Sequence, residues 1–245
     1  MNTRRKVLGC LVVASAFAGG CSVDIKGATA GTKPPGGAFT ANAITERHGA
    51  SPTSVTMGYT HTRDGQGAST EQTPAVNSSG DDHSALVSPQ NAAEFAPFDK
   101  VNLKWRVEFS SWGQGASRTT TEVVLIDPGL NLSVSPDPLT AGQTGNGVVS
   151  LARARTAGDV PVALEVTDQP RSATVTLSRN VVILAAGSTA VGGDFQILTT
   201  PTEESGGTVV GPGGGNPNSC EITATINLPG LPEIKKTARF TIPRP

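Results

Sequence analysis

Cysteine is scarce: the 245 residues contain three, Cys10, Cys21 and Cys220. A disulfide framework is therefore excluded, and a fold of this length has to be held by a packed core, in one or two domains. Aromatic residues make up 4% of the chain, with one tyrosine and two tryptophans, so little surface is available for stacking on bases. Nineteen Lys and Arg are balanced by 20 Asp and Glu, without a basic stripe, and nucleic acid is excluded as a partner. Charge at 16% is too low for a charge-driven disordered chain. Beyond the N-terminal segment no stretch repeats apolar residues at the helical period, which excludes a parallel α/β sheet. Glycine (29) and proline (18) are plentiful and point to many turns between short elements.

The N-terminal segment, MNTRRKVLGCLVVASAFAGGC, places Arg4, Arg5 and Lys6 before an almost wholly apolar or small run from Val7 to Ala18. At about 12 residues the run is short of the ~20 that span a bilayer, and the pattern is that of a secretion signal. Phe17-Ala18-Gly19-Gly20 then leads into Cys21. This resembles the lipobox of bacterial lipoproteins, with Ala18 where the family often has leucine. Val7-Leu8-Gly9-Cys10 has a similar form but lacks a preceding apolar run, and is read as part of the apolar segment. The resemblance implies that residues 1–20 are removed and that Cys21 becomes an acylated first residue, a membrane anchor of two or three chains. The alternative is an ordinary signal peptide cut nearby. Ser22, standing where aspartate would retain a lipoprotein at the inner membrane, implies the outer membrane, with its periplasmic face and the cell surface both open. Loss of residues 1–20 takes the formal charge from −1 to −4, and an acylated Cys21 leaves Cys220 no partner.

Residues 21–40, rich in Gly, Thr, Ala and Pro, are expected to form a flexible tether spanning roughly 25 Å. Residues 41–128 are expected to be a smaller β-rich region. Val55, Met57, Tyr59 and His61 alternate with small or polar residues, and Val101, Leu103, Trp105, Val107 and Phe109 form the clearest half-buried strand. Between them, RDGQGASTEQTPAVNSSGDDHSALVSPQNAAEF reads as loop. SSWGQGASRT reads as the connection to a second strand, TTEVVLI, and Asp127-Pro128-Gly129 as a boundary.

From residue 129 to 245 short β-rich runs recur at spacings near ~10 residues, the rhythm of a sandwich or barrel. Val149-Ser150-Leu151, Val162-Ala163-Leu164, VVILAAG, Phe195-Gln196-Ile197-Leu198-Thr199, Ile222-Thr223-Ala224 and KTARFTI resemble, in pattern and order, the strands of a bacterial immunoglobulin-like domain. The resemblance implies an all-β, antiparallel sandwich serving as scaffold, spacer or ligand-presenting surface, and carries no site residues. Whether the two halves form separate units or one continuous sandwich is open at this level.

Catalytic signatures are missing. No G-x-S-x-G, P-loop or H-E-x-x-H occurs. Asp81-Asp82-His83 is read as a solvated loop in preference to a metal site, and a calcium site from Asp168 with Glu203-Glu204 is given the same low weight; no metal or cofactor is expected. Cys220 is either a small buried residue or a reactive thiol, with burial favoured. Candidate partner contacts are Trp112, which either projects from a Gly-rich tip or folds over the sheet edge, and Gly213 and Asn216 in the Gly-rich segment 203–219. The expectation is a non-enzymatic structural or interaction protein of the cell envelope, meeting a protein or glycan partner. A surface adhesive or carbohydrate-binding module is the alternative, and a hydrolase a more distant one.

Overall fold

A computed structural model of the protein describes residues 21–111, 113–187, 192–202 and 218–243. Among these residues every regular element is a strand, and the strands divide between two hydrophobic cores.

The first group comprises β1 (Ser22–Gly27), β2 (Gly31–Lys33), β3 (Phe39–His48), β4 (Pro52–Thr62), β5 (Val76–Ser79), β6 (Asp82–Val87), β7 (Lys100–Ser111) and β8 (Gln114–Ile126). They form one sheet in the order β1-β3-β6-β5 and a second in the order β2-β8-β7-β4. Every pairing is antiparallel except that of β2 with β8. With β1 and β2 as two halves of a split first strand, the orders match the ABED and CFG sheets of an immunoglobulin sandwich. The N-terminal region is therefore a complete immunoglobulin-like sandwich rather than a minor β-rich segment.

This architecture corrects three expectations. The tether expected over residues 21–40 contains β1, whose Val23 and Ile25 lie in the core, and β2 on the opposite sheet. One Val and one Ile alternating with polar residues give too short a period to stand out from their Gly-rich surroundings. The loop expected between Arg63 and Phe95 contains the β5–β6 hairpin, where His83, Ala85 and Val87 face inward; a histidine and an alanine mask the alternation. The connection expected from SSWGQGASRT shrinks to two residues, because β7 and β8 pair up to Ser111 and Gln114.

The second group comprises β9 (Asn131–Ser135), β10 (Thr144–Ser150), β11 (Val160–Asp168), β12 (Ala173–Leu177), β13 (Val181–Leu184), β14 (Gly192–Pro201), β15 (Ser219–Ile226) and β16 (Ile234–Thr241). Its sheets run β9-β10-β14-β12 and β13-β11-β15-β16, again an immunoglobulin-like order, with β13 added as an edge strand beside β11. The inward residues are largely aliphatic, among them Leu132, Val149, Val162, Leu164, Ile197, Ile222 and Ile226. Phe195 and Phe240 are bulky exceptions. The Phe195 ring lies over Gly147, where even a Cβ would come within 2.0 Å of it, so glycine there makes room for the aromatic.

The registers fix the ends of each sandwich. Ser22 pairs with His48, Ser79 with Asp82 and Ser111 with Gln114, so Cys21, the β3–β4 turn, the β5–β6 turn and the β7–β8 turn share one end of the first sandwich. The opposite end, formed by residues 62–66, 96–100 and 125–127, meets the second sandwich. There it abuts the β10–β11 and β15–β16 connections. The far end of the second sandwich carries residues 136–143, the β11–β12 turn, Thr202, Asn218 and Ile242.

Candidate functional site

Three places in the molecule concentrate polar or reactive groups: the free end of the first sandwich, its interior, and the junction between sandwiches. At the free end, Cys21 immediately precedes β1. It is half-buried and packs against the rim of the first core. Its Sγ lies beside Gly49, where a Cβ would stand 3.4 Å away. Charged side chains around it are paired: Arg47 Nε donates to Asp81 Oδ1 at 2.5 Å, His48 Nε2 lies 3.5 Å from Asp24, and Arg118 lies 3.8 Å from the other Asp24 oxygen. Such exposed pairs contribute little to stability.

Inside the first sandwich four buried ionisable groups, His61, Asp99, His83 and Glu122, are hydrogen-bonded to the chain around them. The backbone N–H of Gln90 donates to His61 Nδ1 at 3.0 Å, which puts the ring proton on Nε2. From there it is donated to Asp99 Oδ2 at 2.9 Å. Asp99 Oδ2 also accepts the Ala96 N–H. Burial pushes the Asp99 carboxyl upward, but the hydrogen bonds from His61 and Ala96 outweigh it and leave the group below its ordinary value. The pair has the form of a base and its orienting carboxylate. However, both side chains are at most 2% exposed, and His61 presents no free nitrogen to a nucleophile.

His83, expected in a solvated loop, is buried on β6. Its Nδ1 lies 2.8 Å from Ser78 Oγ and its Nε2 lies 3.2 Å from Thr45 Oγ1. Burial lowers its pKa, against the charges of Asp81 and Asp82. Asp81 Oδ1 accepts from Arg47 and from the same Thr45 hydroxyl that meets His83, so both side chains are taken up by protein partners. Among the described residues no group of three His, Cys, Asp or Glu is placed to hold a metal ion. Glu122 completes the set: its Oε1 accepts the N–H groups of Thr29 and Ala30, both at 3.1 Å. Its carboxyl sits where a side chain on Gly27 would be, 1.9 Å from a Cβ there. A buried acid over a glycine thus holds the chain where it leaves β1 in one sheet for β2 in the other.

At the junction, Asp64 is the central acceptor. Arg155 Nε donates to its Oδ1 at 3.2 Å and the Thr156 N–H to its Oδ2 at 2.5 Å, while the Thr156 hydroxyl lies 2.8 Å from its backbone carbonyl. Phe98 adds an apolar bolt. It belongs to the first sandwich by sequence, yet it packs with Leu125 in the core of the second. Its φ is +68°, a left-handed conformation that costs a bulky residue of order 1 kcal/mol or more, and its N–H is held by the Ile126 carbonyl at 3.0 Å. The linker 127–130 is pinned as well. Asp127 N–H donates to Lys33 O, Gly129 N–H to Asp127 Oδ1, and Ala152 N–H to Pro128 O.

In the second sandwich Cys220 is fully buried on β15. Burial, reinforced by the charges of Asp168 and Glu221, pushes its thiol up to about 12, so it is an inert core residue. Trp112, Gly213, Asn216, Glu203 and Glu204 lie outside the described residues, as does the segment 1–20. Sequence reasoning missed Asp64, Phe98, Asp99 and Glu122, whose partners lie in distant parts of the chain.

No family model matches the chain, and no curated protein matches it. Among solved structures it is similar to a chimeric titin Z1Z2-Z1Z2 tandem carrying an exogenous fibronectin peptide. The identity is 12% and the TM-score 0.29, over 91% of this chain and 100% of that one. It is similar to a marsupial T cell receptor at 9% identity and TM-score 0.30, over 89% and 96% of the two chains. A Salmonella alpha-2-macroglobulin reacted with methylamine gives 13% identity and TM-score 0.34, over 92% of this chain and 16% of that one. The assignment of fold rests on the strand orders above: the molecule is a tandem of immunoglobulin-like β-sandwiches, a fold consistent with a non-enzymatic structural or interaction module.

Proposed function

We propose that the protein is an envelope lipoprotein in which acylated Cys21 holds a pair of immunoglobulin-like sandwiches at the outer membrane, as a non-enzymatic structural or interaction module. The observation that carries the reading is the junction. Asp64, Phe98 and the linker contacts join the two sandwiches end to end, which supports spacing or presentation. The groups best suited to catalysis, His61, Asp99 and His83, are buried and engaged with one another or with neighbouring hydroxyls and backbone. The basic and apolar N-terminal segment ending at Cys21 supports the anchor, and Ser22 supports outer-membrane sorting.

The test is metabolic labelling with an alkynyl fatty acid in a Gram-negative host. Label on the wild-type chain, with loss of both label and membrane association in Cys21→Ala, is expected; a soluble, unlabelled wild-type chain overturns the reading. Protease treatment of intact and permeabilised cells then separates the two orientations. Digestion of intact cells assigns the protein to the surface, and protection lost on permeabilisation assigns it to the periplasm.

A further inference from the structure

Ser22 is already hydrogen-bonded into the first sheet opposite His48. The chain between an acylated Cys21 and the folded domain is therefore a single residue, a reach of at most about 3.6 Å. A free segment of residues 21–40 would have spanned roughly 25 Å. β1 is also firmly placed. Val23 is fully buried, Ile25 nearly so, and the strand pairs along its whole length with β3, so releasing it as a spacer would expose two core side chains and break a ladder.

From this geometry we infer that the end of the first sandwich bearing Cys21 rests directly on the lipid headgroups, so that the turns at 49–51 and 80–81 and the β7 and β8 ends at Ser111 and Gly113 face the bilayer and the second sandwich points away from it. The inference rests on the acylation of Cys21 proposed above. The partner is a lipid surface, and the chemistry of the end fits contact without electrostatic attraction. Its exposed turn residues include Gly49, Ser51, Gly80, Gly113 and Gln114, and the cations there, Arg47 and Arg118, lie against Asp81 and Asp24 with Asp82 alongside, so the end presents no net positive charge. Seating is therefore set by the acyl chains and the missing spacer, and it persists on zwitterionic membranes without anionic lipid. A soluble partner is left with the flanks of the molecule and the far end of the second sandwich.

The experiment uses the full acylated protein purified from a lipidating host and reconstituted in phosphatidylcholine vesicles whose headgroups carry a nitroxide quencher. A fluorophore is placed by Ser51→Cys at the Cys21 end, or by Thr140→Cys at the far end. Cys220 is buried and unreactive, so the introduced thiol takes the label. Gln114→Cys is a second probe of the first end should Ser51→Cys fold poorly. Strong quenching at residue 51 or 114, with none at 140, is expected. Mass spectrometry of the N-terminal peptide separates the failures. An acylated chain whose label at 51 is as bright as that at 140 overturns the seating alone, whereas an unacylated Cys21 overturns the proposed function and the seating together.

Discussion

The two sandwiches share the central strand pairings of an immunoglobulin-like fold, though not every edge strand, and they do not share a kind of core. The first encloses Trp105, Met57 and Phe95 together with small residues, Ala41, Ala43 and Ala85, and with His61, His83, Asp99 and Glu122. The second encloses mainly aliphatic side chains with Phe98, Phe195, Phe240 and Cys220, and among the described residues its buried polar groups are the hydroxyls of Ser172, Thr199 and Thr223. Burial of an ionisable group is favourable only while its partners stay in place. The first sandwich therefore depends on a few specific polar contacts and on the proton concentration, and the second on continuous apolar packing. One fold is stabilised in two ways.

The sharpest way to break the comparison is Trp105→Ala, which empties the centre of the first core and should cost about 3–5 kcal/mol. Calorimetry should show the first sandwich unfolding earlier while the second retains its own transition. Trp105→Phe should cost much less, because the indole N–H has no partner to lose.

Next in size are changes at the junction. Phe98→Ala removes a ring from the core of the second sandwich and should destabilise by about 3 kcal/mol, partly offset by relief of the left-handed strain. Asp64→Ala leaves the Arg155 and Thr156 donors unpaired, for about 1–3 kcal/mol. Either should separate the unfolding of the two sandwiches, and small-angle scattering should show a broader distribution of end-to-end distances. An unchanged distribution in the double variant would show that the linker alone sets the geometry.

Acid should distinguish the sandwiches more gently. His83 titrates in the folded state below its unfolded value of about 6.5, because burial opposes its charge. The unfolded chain then binds more protons as pH falls, so stability present above ~6.5 declines below it. Asp99 has a folded value below its unfolded value of about 3.9, so its contribution persists above that pH and is lost as pH falls through the folded value. The first sandwich should therefore lose thermal stability between neutral pH and pH 4, and His83→Gln should flatten that slope. The Glu221–Arg239 pair of the second sandwich is too exposed to add much. The smallest effect is chemical. Cys220 should resist maleimide in the folded protein and react in urea, and labelling under native conditions would contradict its burial.

The same difference governs what could be read from the sequence. In β11, β14 and β15, Val, Leu, Ile and Phe occupy the inward positions almost without a break, and the period-2 pattern stands out. β7 in the first sandwich is equally plain. β1 and β5 are obscured because they are short and hold one or two apolar residues among polar ones, and β6 because His83 and Ala85 occupy inward positions and carry little strand signal. The junction was illegible for another reason. Asp64 lies 91 residues from Arg155, and no local pattern records a contact made by topology. The expectation of an anchor at Cys21, by contrast, rests on its immediate neighbours alone.

The parallel pairing of β2 with β8 has a mechanical consequence. A pull between Cys21 and the far end of the second sandwich runs along the first sandwich, drawing β1 and β2 toward one end and β8 toward the other. The antiparallel β1–β3 bonds lie across that direction and the parallel β2–β8 bonds slant to it. The load is therefore shared along β1–β3 and β2–β8 and cannot unzip them one bond at a time. A molecule held at residue 21 and tugged from its far end meets the force in shear, so its resistance is set by the rate at which whole ladders slip.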